Sequence, residues 1–93
     1  MAISMYFQPA GFTPALYDEA MKKLEDAGAG IGSVPGRTFH CAFEMDGSIA
    51  VFDIWDSMEQ FEVFGQTLVP ILSSLGVDPG EPGVATVRNV QNG

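Results

Sequence analysis

Over residues 2 to 8, "AISMYFQ", apolar positions alternate with small or polar ones, Ile3, Met5 and Phe7 falling on one side before Pro9 ends the run. A period of two predicts a strand with one buried face. Beyond it the period changes: Leu16, Tyr17, Ala20, Met21, Leu24 and Ala27 form an apolar stripe at helical spacing. Thr13 stands where an N-cap belongs, Pro14 where a missing N–H costs nothing, and Gly28 where the helix should stop. The glycine-rich stretch "GAGIGSVPG" at 28 to 36 runs from helix to strand. Phosphate-cradling loops run from strand to helix, so this one reads as a flexible connector.

Residues 37 to 45 and 48 to 56 are rich in Phe, Ile, Val and Trp and flank Asp46-Gly47, a strong signal for a two-residue hairpin turn. The register that follows sets Met45 against Ser48, His40 against Asp53, Phe39 against Ile54 and Cys41 against Phe52. "SMEQ" at 57 to 60 is a capping box, and Phe61, Phe64, Leu68, Leu72 and Leu75 continue a second helix until Gly76. Pro70 should kink that helix or start a new turn, since it cannot bond the Gln66 carbonyl. "VATVRNV" at 84 to 90 makes a last strand. The order β-α-β-β-α-β predicts an α+β, ferredoxin-like domain over residues 1 to 93, with two helices on one face of a four-stranded antiparallel sheet.

Alternation divides the hairpin into two faces. Phe39, Cys41, Phe43, Met45, Ala50, Phe52 and Ile54 are uniformly apolar, which suits packing beneath the helices. Thr38, His40, Ala42, Glu44, Ile49, Val51, Asp53 and Trp55 form a mixed face, expected to be uncovered. It is too apolar for water and too polar for a dry core, so a second sheet across a cavity is expected to meet it.

Composition supports the partner. A chain of 93 residues buries only about 60–65% of its unfolded surface, while 46% of its residues are hydrophobic and 17% charged, so apolar surface is left to share with another copy. A net charge of −8 repels phosphate backbones and anionic lipid, which argues against nucleic acid and membrane surfaces. No stretch approaches a membrane span, and "MAISMYFQPAG" lacks a basic leader. A lone Cys41 in an apolar strand reads as a buried small hydrophobe in a reducing, cytoplasmic setting.

The segment "GRTFHCAFEMDGSIAVFDIWDSMEQFEVFGQTLVPILSSLGV" with "VATVRNV" resembles small, actinobacterial-type members of the dimeric α+β barrel superfamily, in the antibiotic biosynthesis monooxygenase-like group. The specific parts are "FH" in the second strand, "VFDIWDS" running into "MEQFEVF", Leu68-x-Pro70-x-Leu72, and the "NV" at 89 and 90. The resemblance implies two sheets paired face to face as a homodimeric barrel whose interior holds a small aromatic or polyketide-like ligand. Its group spans cofactor-free oxygenases, isomerases, heme-degrading enzymes and proteins without a reaction. Heme-degrading relatives use a helix histidine and an asparagine on the first strand, and this chain has neither. No cofactor is therefore expected.

His40 with Asp53 is the best acid–base pair in the sequence, since a carboxylate can fix an imidazole's tautomer and raise its basicity. A metal is not expected there, because Glu44 lies roughly 13 Å along the strand from His40. Trp55 offers a flat wall for an aromatic ligand, with Val51 beside it on the same face. Tyr6, opposite Ile3, Met5 and Phe7 on the first strand, is expected to look into the same cavity and donate a hydrogen bond. Arg88 on the last strand could pair with a ligand oxygen or with a carboxylate. Two functions follow: an enzyme in which His40 deprotonates a phenolic or enolisable substrate, or a non-catalytic ligand-binding or accessory dimer.

Overall fold

The computed structural model describes residues 2–30 and 32–93. Six elements follow in the expected order: β1 (Ile3–Phe7), α1 (Pro14–Asp26), β2 (Arg37–Met45), β3 (Ser48–Trp55), α2 (Met58–Ser74) and β4 (Gly83–Thr86). The strands form one sheet in the order β2-β3-β1-β4, every neighbouring pair antiparallel. Residue 31, within the connector from α1 to β2, lies outside the described residues.

Local chemistry sets the element ends. The Thr13 hydroxyl accepts the Leu16 N–H at 3.2 Å, and Pro14 follows at the first helical position. Ser57 caps α2 by accepting the Gln60 N–H at 3.3 Å, while its own hydroxyl donates to the Gln60 side-chain oxygen. Both helices end alike. Gly28 and Gly76 take left-handed φ values of 82° and 74°, and the next residues, Ala29 and Val77, return their N–H groups to Leu24 and Leu72. This closure satisfies carbonyls that the last turn leaves free and needs a residue without Cβ at the left-handed position. Asp46 and Gly47 both have positive φ, the signature of the tight turn whose twist matches the flanking strands.

Two elements depart from expectation. α2 continues through Pro70 to Ser74 instead of restarting there. Gln66 and Pro70 are both exposed, so the carbonyl that Pro70 cannot bond meets water. β4 stops at Thr86, short of the predicted residue 90, because Thr86 already pairs with Ile3 at the beginning of β1. Beyond it the Val87 N–H reaches the Ala2 carbonyl at 3.0 Å.

The predicted hairpin register holds at every pair from His40–Asp53 to Met45–Ser48. The predicted covering of its faces is reversed. Cross-strand partners share a face, and β1 pairs Ile3 with Trp55, Met5 with Asp53 and Phe7 with Val51. The apolar side of β1 therefore carries Asp53 and Trp55 beneath the helices, where Met5, Leu24, Trp55 and Phe64 form the core. The uniformly apolar face is the open one: Phe39 is 46%, Phe43 39% and Met45 41% exposed. There Tyr6 stacks on Phe43 at 6.3 Å, Phe52 meets Phe39 edge-on, and Cys41 is half-buried. Uniform apolarity misled because satisfied polar groups can enter a core, and a single sheet cannot cover both of its faces with two helices.

Candidate active site between sheet and helices

Asp53 sits on the central strand β3 with only 3% of its surface exposed. A carboxylate so placed needs donors, and its neighbour across the hairpin supplies one: His40 Nδ1 lies 2.6 Å from Asp53 Oδ1. With Asp53 ionised, the proton of that contact belongs to Nδ1–H. Nε2 of the neutral ring is then an acceptor, and the Tyr17 hydroxyl of α1 donates to it at 2.7 Å. The rings of Tyr17 and His40 lie nearly parallel, with centroids 6.2 Å apart. For a neutral ring these two contacts run in one direction, Tyr17 to His40 to Asp53, and favour the Nδ1–H tautomer from both sides.

The chain borders a cleft of about 50 Å³ between the sheet and the two helices. Apolar side chains make most of its wall, among them Phe7, Phe12, Met21, Leu68 and Leu72. Tyr17, His40, Asp53 and Arg37 are its polar edge. Burial pushes the Tyr17 phenol above its ordinary value; the Arg37 guanidinium pulls the other way, and the Asp53 carboxylate adds to the rise. A phenol, an imidazole and a carboxylate so aligned can pass a proton along the chain, because each heteroatom contact is already at hydrogen-bonding distance.

The structure brings together three of the sequence candidates, His40, Asp53 and Val51, all of which border this cleft. Trp55 lies on the same sheet face but is 0% exposed and covered by Phe61 and Phe64 at 5.4 Å each. It is a packing residue beside the cleft, not the open wall expected of it, and its buried indole N–H has no partner among the described residues. Tyr6 does not share a cavity with His40. Its partner on β3 is Phe52, which puts it on the open face, and its hydroxyl donates to Gln8 at 3.3 Å. Arg88 lies beyond the end of β4 and is exposed, so the last strand brings no cation to the cleft.

Two residues escaped the sequence reading. Tyr17 fits the apolar stripe of α1, where a tyrosine counts as apolar, and only its position over His40 reveals the use of its hydroxyl. Arg37 is turned inward by a β-bulge: Arg37 pairs with Trp55 and Phe39 with Ile54, leaving Thr38 as an extra residue. Simple alternation would have put Arg37 on the open face with Phe39. The bulge reverses it, and its guanidinium rests 5.4 Å from the centre of the Phe64 ring.

No family model and no curated protein matches the sequence. Solved structures do match the architecture over nearly its full length. A Chloroflexus aurantiacus protein provisionally named an antibiotic biosynthesis monooxygenase superposes with a TM-score of 0.65 at 13% identity, covering 99% of this chain and 98% of its own. A Deinococcus radiodurans protein with the same provisional name gives 0.61 at 13% identity, covering 99% and 97%. The fold is that of the antibiotic biosynthesis monooxygenase-like proteins. SnoaB of Streptomyces nogalater, described as a cofactor-independent oxygenase, shares this fold with a TM-score of 0.61 at 18% identity, covering 96% of this chain and 93% of its own. The resemblance drawn from "VFDIWDS" and "MEQFEVF" thus holds for the fold. Among the described residues, no helix is long and apolar enough to cross a membrane, and no group of three or more His, Cys, Asp and Glu converges as a metal site would require.

Proposed function

We propose that this monooxygenase-like domain, residues 1 to 93, binds a small phenolic or enolisable molecule in the cleft between sheet and helices and removes a proton from it without a cofactor. The observation that carries this reading is the Tyr17–His40–Asp53 chain at the edge of an otherwise apolar cleft. Because Tyr17 occupies Nε2, His40 acts through it: the phenol passes its proton to Nε2 while its oxygen takes one from the substrate. Asp53 holds Nδ1–H and balances the imidazolium that forms. An isomerase-like reaction returns the proton to another atom. In an oxygenase-like reaction the carbanion gives its electrons to O₂, so that a methylene becomes a carbonyl and water leaves, with no external reductant. The cofactor-independent oxygenase among proteins of the same fold supports the second course.

The open apolar face, with Phe39, Phe43 and Met45, is where a second copy of the chain docks to form a homodimer. The free thiol of Cys41 on that face suits a reducing cytoplasm.

A second reading, a non-catalytic ligand-binding or accessory dimer, draws on the cleft's size. About 50 Å³ is well below the roughly 300–1,000 Å³ usual for ligand pockets, so a polyketide-like molecule enters only if the Met21, Leu68 and Leu72 side chains move apart. Oxygen uptake with anthrone as substrate separates the two. The enzyme reading expects turnover that falls at least about a hundredfold in His40→Ala, with an unchanged fold by circular dichroism. Absence of turnover, or turnover untouched by His40→Ala, contradicts it.

A further inference from the structure

Four cations serve this chain of net charge −8: Lys22, Lys23, Arg37 and Arg88. Three are exposed. The fourth, Arg37, is half-buried at the edge of the cleft. With twelve carboxylates available, a guanidinium would ordinarily find one. Yet the sole ion pair among the described residues joins His40 to Asp53. Arg37 makes no side-chain hydrogen bond among those residues; its guanidinium lies over the face of Phe64, 5.4 Å from the ring centre. A bulge turns this cation inward, over an aromatic ring and beside an apolar cleft, with no acceptor for its five N–H donors among the described residues.

We propose that the cleft takes an aromatic carboxylic acid, with Arg37 as the group that binds its carboxylate. This rests on the small-molecule reading above and adds the class of ligand. A phenol or enol is neutral near pH 7, whereas a carboxylate is charged there, so a permanent cation is suited to the latter. The guanidinium fork matches a carboxylate's two oxygens, and the apolar wall of Phe7, Phe12 and Leu68 receives the ring once the Met21, Leu68 and Leu72 side chains move apart. The two polar groups then divide the work. Arg37 anchors the acid, and Tyr17 meets the hydroxyl or enol of the same molecule. Arg37 also bears on the proton chain, since its charge opposes the rise in the Tyr17 phenol caused by burial. Ligand carboxylate on Arg37 would offset that charge and make the phenol a poorer acid, coupling occupancy to proton transfer.

The probes are 3-hydroxybenzoate and its neutral isostere 3-hydroxybenzamide, titrated into the full chain while backbone amide shifts are followed at Tyr17, Arg37, Val51 and Leu68. The acid should bind about tenfold more tightly than the amide, the usual scale of a charge-assisted pair. Arg37→Gln should bring the two within about twofold, and Arg37→Lys should keep part of the preference for the acid. Equal binding of acid and amide to the unaltered chain overturns the proposal while leaving the cleft a ligand site. Binding of neither overturns both. A preference that survives in Arg37→Gln assigns the carboxylate to another group and equally overturns the proposal. The comparison on the unaltered chain stands even if Arg37→Gln fails to fold.

Discussion

One face of the sheet holds a tryptophan, a histidine and a carboxylate beneath two helices; the other holds the exposed Phe39, Phe43 and Met45, with Tyr6 stacked on Phe43. By polarity alone the two would be exchanged. What lets the mixed face be buried is that His40 and Asp53 find partners, although the buried Trp55 indole N–H finds none among the described residues. His40 and Asp53 satisfy one another and Tyr17 satisfies the remaining nitrogen, so the mixed face can be dry. The bulky residues on that face, Trp55, Ile49 and Val51, then pack against α1 and α2. The apolar face needs no partner group by group, and it can be covered by a surface as plain as itself. The proposed chemistry would thus be enclosed within one chain, and the proposed association left to the other side.

Substitutions on the two faces should therefore differ in kind. Trp55→Ala removes a fully buried ring and should cost about 3–5 kcal/mol in urea unfolding. Asp53→Ala leaves His40 Nδ1–H without its acceptor and should cost about 1–3 kcal/mol. Adding His40→Ala to Asp53→Ala should cost clearly less than the sum of the two single changes, because the second removes a group already orphaned. A sum that is merely additive would mean that the 2.6 Å contact carries no coupling.

Tyr17→Phe deletes one hydrogen bond and should cost about 1 kcal/mol. It should also change how stability responds to alkali. Burial raises the Tyr17 phenol above its ordinary value of 10.0, so the folded state holds this proton more tightly than the unfolded one. The resulting stability is fully present below 10.0 and is lost as pH rises through the higher folded value. Urea midpoints measured across that range should fall more steeply for the unaltered chain than for Tyr17→Phe. Parallel curves would place the hydroxyl in water.

The smallest effect on protomer stability belongs to the open face. Phe43→Ser should change unfolding of the isolated protomer by no more than about 1 kcal/mol, yet it should weaken self-association in sedimentation experiments. A chain that remains monomeric at all concentrations before any substitution would remove the proposed homodimer.

The order of elements, both helix caps, both glycine stops and the hairpin register were legible because each depends on a few adjacent residues. Thr13-Pro14, Ser57 and Asp46-Gly47 act within their own turns. The covering of the faces depends instead on which side of β1 pairs with β3, a long-range choice that the hairpin does not contain. His40 and Asp53 could be paired from the turn alone, whereas Tyr17 reaches them from another element across 23 positions of sequence. Arg37 was hidden by a one-residue bulge at Thr38, for which the strand offers no glycine or proline as a sign. Alternation and strand length misplace Tyr6 and Arg88 where those rules meet the real sheet: Tyr6 through the pairing of β1, Arg88 through the early end of β4.

The arrangement beneath the helices can be tested at one ring. Nitrogen-15 spectra of the His40 imidazole distinguish a protonated Nδ1 with a bare, hydrogen-bond-accepting Nε2 from the reverse tautomer and from rapid exchange between them. The expected result near neutral pH is a single Nδ1–H tautomer whose Nε2 resonance shifts in Tyr17→Phe. An Nε2–H tautomer, or an averaged ring indifferent to Tyr17, would contradict the directed chain and with it the proton route proposed for this cleft.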